Sequence, residues 1–462
     1  MFYFIGVPNN DFDTQPESQI IVGESDPVRD LLVVSIVLGG SLYALRQPWV
    51  GAMLWTWVSL MNPHSLTYGF ALSFPVAAIV AVATLIGLMV NKDRLNPFVE
   101  TPSKWLALFM CWICFTYFFS YDIEGSTSML IKVMKIYFMT FVILMLLRTR
   151  KHIEIFVWVV VLSLGFYGIK GGIFTILTGG NYRVWGPGGF IGGNNELALA
   201  LIITIPLMRF LQLNTTRKWV RHGLTAAMLL TAAASLGSHS RGALLAIAAM
   251  AFYLWVKSPK KMALGAAIVV MGAAMIAFMP EHWSSRMDTI QNYQEDASAM
   301  GRINAWWAAF NVAKTHITGA GFDMYTPQIF AIFAPDPLDV HAAHSIYFQV
   351  LGEHGFIGLF LYFGIWWSVW RTASWLIKNG GMAEQTLWCK DLGAMCQVAL
   401  IGYAVGGAFL SLAYYDLPYN ILIIVILAKR WILDQLSGEQ AISNFPANTN
   451  ARLGQQPLNL QL

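Results

Sequence analysis

Long apolar stretches separated by short polar segments run through most of the chain. They lie at residues 74–90, 105–121, 129–147, 153–177, 197–213, 219–236, 243–256, 262–279, 346–370, 392–412 and 417–433. A helix needs about 20 apolar residues to cross a bilayer, and its backbone groups find their partners within the same segment. The pattern therefore predicts an all-α polytopic membrane protein with about 12 transmembrane helices.

Two shorter apolar runs, 30–45 and 49–61, precede these and are separated by Arg46, Gln47 and Pro48. Each is short for a membrane span. They are either two tilted helices or one span plus a re-entrant piece, so the predicted number of spans is 12 or 13.

Residues 280–343 form the one long polar segment between apolar runs. Trp306, Phe310 and Ala313 recur at helical spacing within it, which predicts a short amphipathic helix. A glycine-rich break at 319–322 and a second short helix over 322–333 follow, so the segment is a candidate lid. The predicted divisions are a tail at 1–29, helices at 30–279, the loop at 280–343, helices at 344–435 and a tail at 436–462.

Composition excludes a soluble protein. Charged residues make up 12% of the chain and the mean hydropathy is +0.55, whereas soluble proteins carry about 25% charged residues. The net charge of +4 is small, so its placement matters more than its size. We expect membrane lipids around the chain and no nucleic-acid partner. Cys111 and Cys114 lie within an apolar run, and we interpret them as packing residues rather than a redox or metal pair.

Basic residues follow every second apolar run, which predicts the orientation of the chain. The basic segments are Lys92 to Lys104, Arg148 to Lys151, Arg217 to Arg221, Lys257 to Lys261, Arg371 to Lys390, and Lys429 with Arg430. Loops rich in Lys and Arg stay in the cytoplasm. We therefore predict a multi-pass protein of the bacterial inner membrane, with a cytoplasmic C-terminus and a periplasmic 280–343 loop.

Five cations fall on the predicted outer side, against this trend: Lys170, Arg183, Arg241, Arg286 and Arg302. Arg241 lies between two apolar runs, where a cation is costly unless it is paired or solvated and is by default a functional candidate. Snorkelling or a salt bridge is the alternative. Arg302 is predicted to open a helix after Gly301, and helix N-termini favour anions. Arg183 lies in a glycine-rich stretch that also fits a plain turn. Guanidinium groups suit phosphate, so converging arginines favour a diphosphate ligand.

His344 stands where the long loop enters the apolar run at 346–370. It is either a helix-start histidine satisfied by backbone or solvent, or a general base that takes a proton from an acceptor hydroxyl. A leaving diphosphate needs charge stabilisation rather than an acid, so one base plus arginines is a sufficient set. The candidate supporting residues are His341, Ser345, His239 and Asn194. Arginines take over the neutralising role of a metal, so we expect neither a metal nor a cofactor.

Four short motifs occur around this loop. They are Ser240-Arg241-Gly242-Ala243, Gly301-Arg302 followed by Trp306, Gly319-Ala320-Gly321-Phe322, and His344-Ser345 leading into Gln349, Gly352 and Gly355. In these motifs and their order, the chain resembles the O-antigen ligase family, which includes related O-antigen polymerases. The resemblance covers roughly residues 194–427.

The resemblance implies a membrane glycosyltransferase that moves a glycan from undecaprenyl diphosphate to the lipid A core oligosaccharide. It implies inversion at the anomeric carbon and no metal or nucleotide. By position, His344 corresponds to the family's essential histidine. Arg241 and Arg302 correspond to the arginines that hold the donor diphosphate, and Arg183 is a further candidate for that role.

The acceptor stays open at this point. Residues 47–51 and 61–70 are similar to a subgroup of O-glycosylation ligases associated with exosortase systems. The alternatives are therefore a ligase acting on lipid A core, a polymerase acting on another glycan, and a ligase acting on protein. A transporter or flippase of the lipid-linked glycan is an alternative of another class. Lys132 and Lys135 are the main charges within the apolar runs that such a transporter would use.

Overall fold

The computed structural model describes residues 27–67, 69–91, 94–281, 283 and 297–443, and within them it contains helices and loops but no strand. The helices are α1 (Pro27–Arg46), α2 (Pro48–Met61), α3 (Val76–Val90), α4 (Thr101–Tyr117), α5 (Ile123–Leu146), α6 (Arg150–Leu177), α7 (Asn194–Asn214), α8 (Lys218–Gly237), α9 (Arg241–Lys257), α10 (Lys261–Phe278), α11 (Ala297–Thr315), α12 (Pro327–Phe333), α13 (Ile346–Asn379), α14 (Leu387–Gly407) and α15 (Asp416–Ser443). The prediction of an all-α protein is confirmed.

Five of these helices, α1, α5, α6, α7 and α13, are long and apolar enough to cross a membrane. They make the chain a multi-pass membrane protein. Helix α3 and residues 261–274 of α10 are apolar but shorter. The total of about 12 spans remains a prediction.

Several boundaries differ from the sequence prediction. Helix α4 ends at Tyr117 rather than 121, and α14 ends at Gly407 rather than 412. Helix α13 extends to Asn379, and α15 continues to Ser443, into the predicted tail. Hydropathy depends on residue type alone. The apolar Phe118 and Phe119 therefore belong to the predicted run 105–121, although they lie in a turn after the end of α4.

The helix bundle has two ends, which we name after the long loop at one end and the basic residues at the other. The loop face comprises the helix ends next to residues 297–345. The basic face is the opposite end, where Lys429 Nζ lies 2.6 Å from Glu100 Oε2. Arg430 also donates hydrogen bonds there, to the carbonyl oxygens of Leu144, Asn96 and Pro97. These contacts fasten α15 to α5 and to the segment between α3 and α4.

Helices α6 and α8 pack closely through small residues. Gly168 and Gly172 lie four residues apart on one face of α6, and Thr231 of α8 packs against Gly168. A Cβ atom added at Gly172 would collide with the carbonyl oxygen of Leu230. Glycine at such positions lets two helix backbones approach each other in a membrane.

We therefore expect Gly172→Ala to destabilise the protein by roughly 1–3 kcal/mol, the usual effect of overpacking. The measurement is thermal unfolding of the purified protein in detergent. Gly272→Ala is the matched control, because a Cβ atom at Gly272 in α10 meets no other atom within 4 Å. Equal unfolding temperatures for the two variants would contradict the close-approach account.

Helix α13 is kinked at Gly355, whose φ is +69°. The kink frees backbone carbonyls of the preceding turn, and the glycine-rich segment at 319–321 satisfies them. Ala320 N donates to Gly352 O at 2.9 Å, and Gly321 N donates to Glu353 O at 3.0 Å. Backbone groups freed by a kink need such partners inside a membrane. These bonds fix the 319–321 segment of the long loop against α13.

Candidate functional site

Helix α11 holds the last part of the long loop in place. Asn304 Nδ2 donates to the carbonyl oxygens of Asp336 and Asp339, at 2.8 and 2.9 Å. Trp306 Nε1 donates to Ala343 O at 2.7 Å, and its ring stacks on Phe348 with centroids 4.9 Å apart. The chain is thereby fixed up to the residue before His344.

His344 adopts a left-handed backbone conformation, with φ +42°. Residues other than glycine seldom do so, although Asn, Asp and His tolerate it best. The conformation costs on the order of 1–3 kcal/mol and persists only where the surroundings impose it. Ser345, which is buried, follows as the N-cap residue of α13. His344 therefore lies just outside the helix rather than within it.

Arg302 lies close to His344. Arg302 precedes Trp306 by four residues on α11, which puts both on one face of the helix, and Trp306 binds the residue next to His344. Burial, the Arg302 cation and His341 together lower the pKa of His344 to about 4. The imidazole of His344 is therefore neutral at pH 7 and able to accept a proton.

The expectation that Arg302 opens a helix is wrong. Helix α11 begins at Ala297, so Gly301 and Arg302 lie inside it. Gly301 has a different purpose: a Cβ atom there would lie 2.7 Å from His341 Nδ1, so only glycine leaves room for that ring. The same nitrogen lies 2.8 Å from Asp339 Oδ1. His341 is thus held between α11 and Asp339, beside Arg302.

Arg241 is the arginine that stands at a helix N-terminus. It is the first residue of α9, and Ser240 caps the helix by accepting a hydrogen bond from Ala243 N at 3.2 Å. His239, with φ +58°, forms the preceding turn, and its Nε2 hydrogen-bonds Gly180 O at 2.9 Å. The dipole of α9 adds to the positive potential beside Arg241, because its positive end is the N-terminus of the helix.

Arg241 and Arg302 line one narrow cleft on the loop face, although they come from different helices. The other lining residues are Asn195, Ser240, Gly242, Phe409 and Leu410. Glu196, next to Asn195, attracts Arg302 electrostatically. Two guanidinium groups and a helix N-terminus at one cleft form a site for an anion.

The other predicted site residues, His344 among them, do not line the cleft. Asn194 Nδ2 donates to Ser238 O at 2.7 Å, which ties the start of α7 to the turn before Arg241. His239 is bound to Gly180, as described above. Arg183 lies in the 178–193 loop, where Val184 N donates to Gly237 O at 3.0 Å. Arg183 therefore shares the loop face with Arg241 but belongs to the surrounding wall.

Sequence reasoning missed three lining residues, Asn195, Phe409 and Leu410. The two apolar residues were assigned to the 392–412 span, although the pair Gly406 and Gly407 signals the end of a helix there. Asn195 follows a residue that was singled out. Among the described residues, no group of three or more His, Cys, Asp or Glu side chains is arranged to hold a metal ion.

Comparison with protein families gives two matches. A family described as O-Antigen ligase matches residues 226–363, a range that contains Arg241, Arg302, His341 and His344. A family of unknown function, DUF5935, matches residues 28–216. A search of curated proteins finds no match. The similarity of the N-terminal part to exosortase-associated ligases stays a prediction.

Proposed function

We propose that this chain, which carries an O-antigen ligase region at residues 226–363, is an O-antigen ligase. It moves a glycan from undecaprenyl diphosphate to the lipid A core oligosaccharide. The observation that supports this most is the position of Arg302, which shares one cleft with Arg241 and acts electrostatically on the neutral imidazole of His344. Displacement of a diphosphate by a hydroxyl needs these two kinds of group.

The reaction proceeds in one displacement. An acceptor hydroxyl oxygen attacks the anomeric carbon from the face opposite the diphosphate, and His344 takes the hydroxyl proton. The bond from the anomeric carbon to the phosphate oxygen breaks, and its electron pair stays on the diphosphate. Arg241 and Arg302 stabilise the negative charge that develops there. The products are the glycoside with inverted configuration, undecaprenyl diphosphate and a proton that His344 releases to solvent, with no metal required.

Donor binding also prepares the base. The free protein holds the pKa of His344 low, partly through Arg302. A bound diphosphate offsets the Arg302 charge, and a nearby negative charge raises the pKa of an imidazole. His344 is therefore a stronger base when the donor is present. The cleft is narrow, so binding of a diphosphate requires the arginine side chains to move apart, a kind of adjustment that is common on binding.

This electrostatic arrangement predicts a distinctive pH dependence. The kcat/KM profile reports the free enzyme, so its acid limb should fall near pH 4, where His344 becomes protonated, rather than near 6.5. The acid limb of kcat should lie at higher pH, because the bound donor raises the pKa. Initial rates across a pH series test this. Identical acid limbs at or above pH 6.5 in both profiles would contradict it.

The proposed orientation places the loop face in the periplasm of a bacterial inner membrane, with α15 ending in the cytoplasm. Lys429 and Arg430 support it, because they lie on the opposite face and positive residues stay in the cytoplasm. A periplasmic cleft also meets the lipid-linked donor on the side where lipopolysaccharide is completed.

Reconstitution in liposomes tests the proposal against its alternatives. Purified protein is supplied with labelled undecaprenyl-diphosphate glycan and with lipid A core. Label attached covalently to lipid A core supports the ligase, whereas a ladder of longer undecaprenyl-linked chains indicates a polymerase. Label that crosses the bilayer without covalent transfer indicates a transporter. Label on an added protein substrate indicates a protein O-glycosylation ligase.

A further inference from the structure

A second, larger cavity lies between α2, α5 and the start of α15. Its volume is about 410 Å³, within the usual range for ligand pockets. Its lining is mostly apolar, with polar groups at a few points. The charged lining residues are Lys132, Lys135 and Asp416, and the polar ones include Ser59, Asn62 and His64.

Lys132 and Lys135 enter this cavity from the middle of a candidate membrane span. They lie nine and twelve residues into the 24-residue helix α5, which is about 14 and 18 Å along a helix of about 36 Å. Placing an ionisable group at this depth of a membrane costs free energy, so such groups normally face a cavity or pair with another polar group. We therefore expect each of the two lysines at this cavity to interact with a ligand or with another residue.

Partners account for only one of the two lysines. Lys132 is attracted to Asp416 and Asp323, and its ammonium lies 3.7 Å from the centre of the Phe190 ring. Asp416 is buried and accepts a hydrogen bond from Ser59 Oγ at 2.6 Å. Lys135 has no ion pair within the described part of the chain. The cavity thus holds one positive charge more than its own residues balance.

The cavity adjoins the arginine cleft. Residues 189–191 line the cavity and Asn195, four residues further on, lines the cleft. One short segment, 189–195, therefore separates the two. Most of the cavity's lining residues lie in the 28–216 region, outside the O-antigen ligase match.

We propose that this cavity binds the phosphate-bearing head group of a membrane lipid, with Lys135 as the principal cation. Resting on the proposed function, we infer that this lipid is the acceptor. The donor's diphosphate has its own cations in the cleft, and transfer requires a second substrate next to it. A surplus cation, apolar walls and a position beside the cleft all suit an anionic lipid that presents its sugar to His344.

Binding is tested first without reference to catalysis. Dodecyl phosphate is titrated into the purified full-length protein in a neutral detergent, and the unfolding temperature is recorded, with dodecanol as the uncharged comparison. We expect the unfolding temperature to rise saturably with dodecyl phosphate. In Lys135→Met the affinity for dodecyl phosphate should fall about tenfold or more, the usual effect of losing a charge-assisted contact.

Lys314→Met, at an exposed position of α11, is the matched control and should bind dodecyl phosphate as the parent does. Lys135→Met removes a charge from a span and should fold, while Lys135→Arg should retain binding. Equal stabilisation of the parent and Lys135→Met overturns the site.

Transfer assays then identify the lipid. If the acceptor occupies the cavity, Lys135→Met raises the KM for acceptor and leaves the KM for donor unchanged. A rise in the donor KM alone overturns the acceptor assignment. If the parent protein transfers no glycan but still binds dodecyl phosphate through Lys135, the proposed function fails while the anion site stands. The two failures are therefore distinguishable.

Discussion

Replacing His344 by asparagine should lower the rate of glycan transfer by about 10²–10⁴-fold, the usual contribution of a general base, while the protein still folds. Asparagine is the informative choice because it tolerates the left-handed backbone conformation of this position, where φ is +42°. Its amide cannot take up a proton near neutral pH. The variant therefore removes the base with little change to the turn that precedes α13.

The measurement is the single-turnover rate with saturating donor and acceptor, alongside the unfolding temperature. His222→Asn is the matched control, because His222 is exposed and lies near the start of α8, at the end of that helix away from Arg241. It should keep the parent rate. Transfer by His344→Asn at the parent rate would show that another group takes the proton.

Replacing Arg241 or Arg302 by alanine should weaken use of the donor. Each change removes a charge-assisted contact worth roughly 1.5–3 kcal/mol, or about 10- to 150-fold in donor kcat/KM. Arg302→Lys keeps the charge but loses the planar fork that binds two phosphate oxygens at once, so we expect an intermediate loss. Arg302→Ala should also move the acid limb of kcat/KM to higher pH, because Arg302 contributes to the low pKa of His344.

Donor affinity and the pH profile are the two measurements for these variants. Arg217→Ala is the control and should leave both unchanged, because Arg217 is exposed and caps the start of α8, at the end of that helix away from Arg241. Unaltered donor binding in both Arg241→Ala and Arg302→Ala would remove the diphosphate from this cleft. An unmoved acid limb in Arg302→Ala would separate Arg302 from His344.

Much of the architecture follows from the sequence, because apolar runs of membrane length leave helices as their main solution. The candidate residues could also be singled out, since Arg241 and His344 stand where apolar runs meet polar loops. Hydropathy does not predict local geometry. The helix that we expected to begin at Arg302 begins at Ala297. Gly301 therefore lies inside this helix, where the ring of His341 occupies the space that a side chain would need.

Contacts between distant segments were equally invisible. The kink at Gly355 depends on hydrogen bonds from residues 320 and 321 to the carbonyl oxygens of residues 352 and 353, and no local pattern reveals that pairing. The cleft likewise joins α9 to α11 and to Phe409. The sequence alone indicates which charged side chains lie near apolar runs, where they are energetically costly. The fold determines which of these side chains come close to one another.

The most direct test of the central claim is the mass of the product made by purified protein from a defined undecaprenyl-diphosphate glycan and lipid A core, in the presence of EDTA. We predict lipid A core heavier by one transferred glycan, together with an equal amount of released undecaprenyl diphosphate. An acceptor of unchanged mass, with the donor still intact in the presence of folded protein, would contradict the proposed transfer.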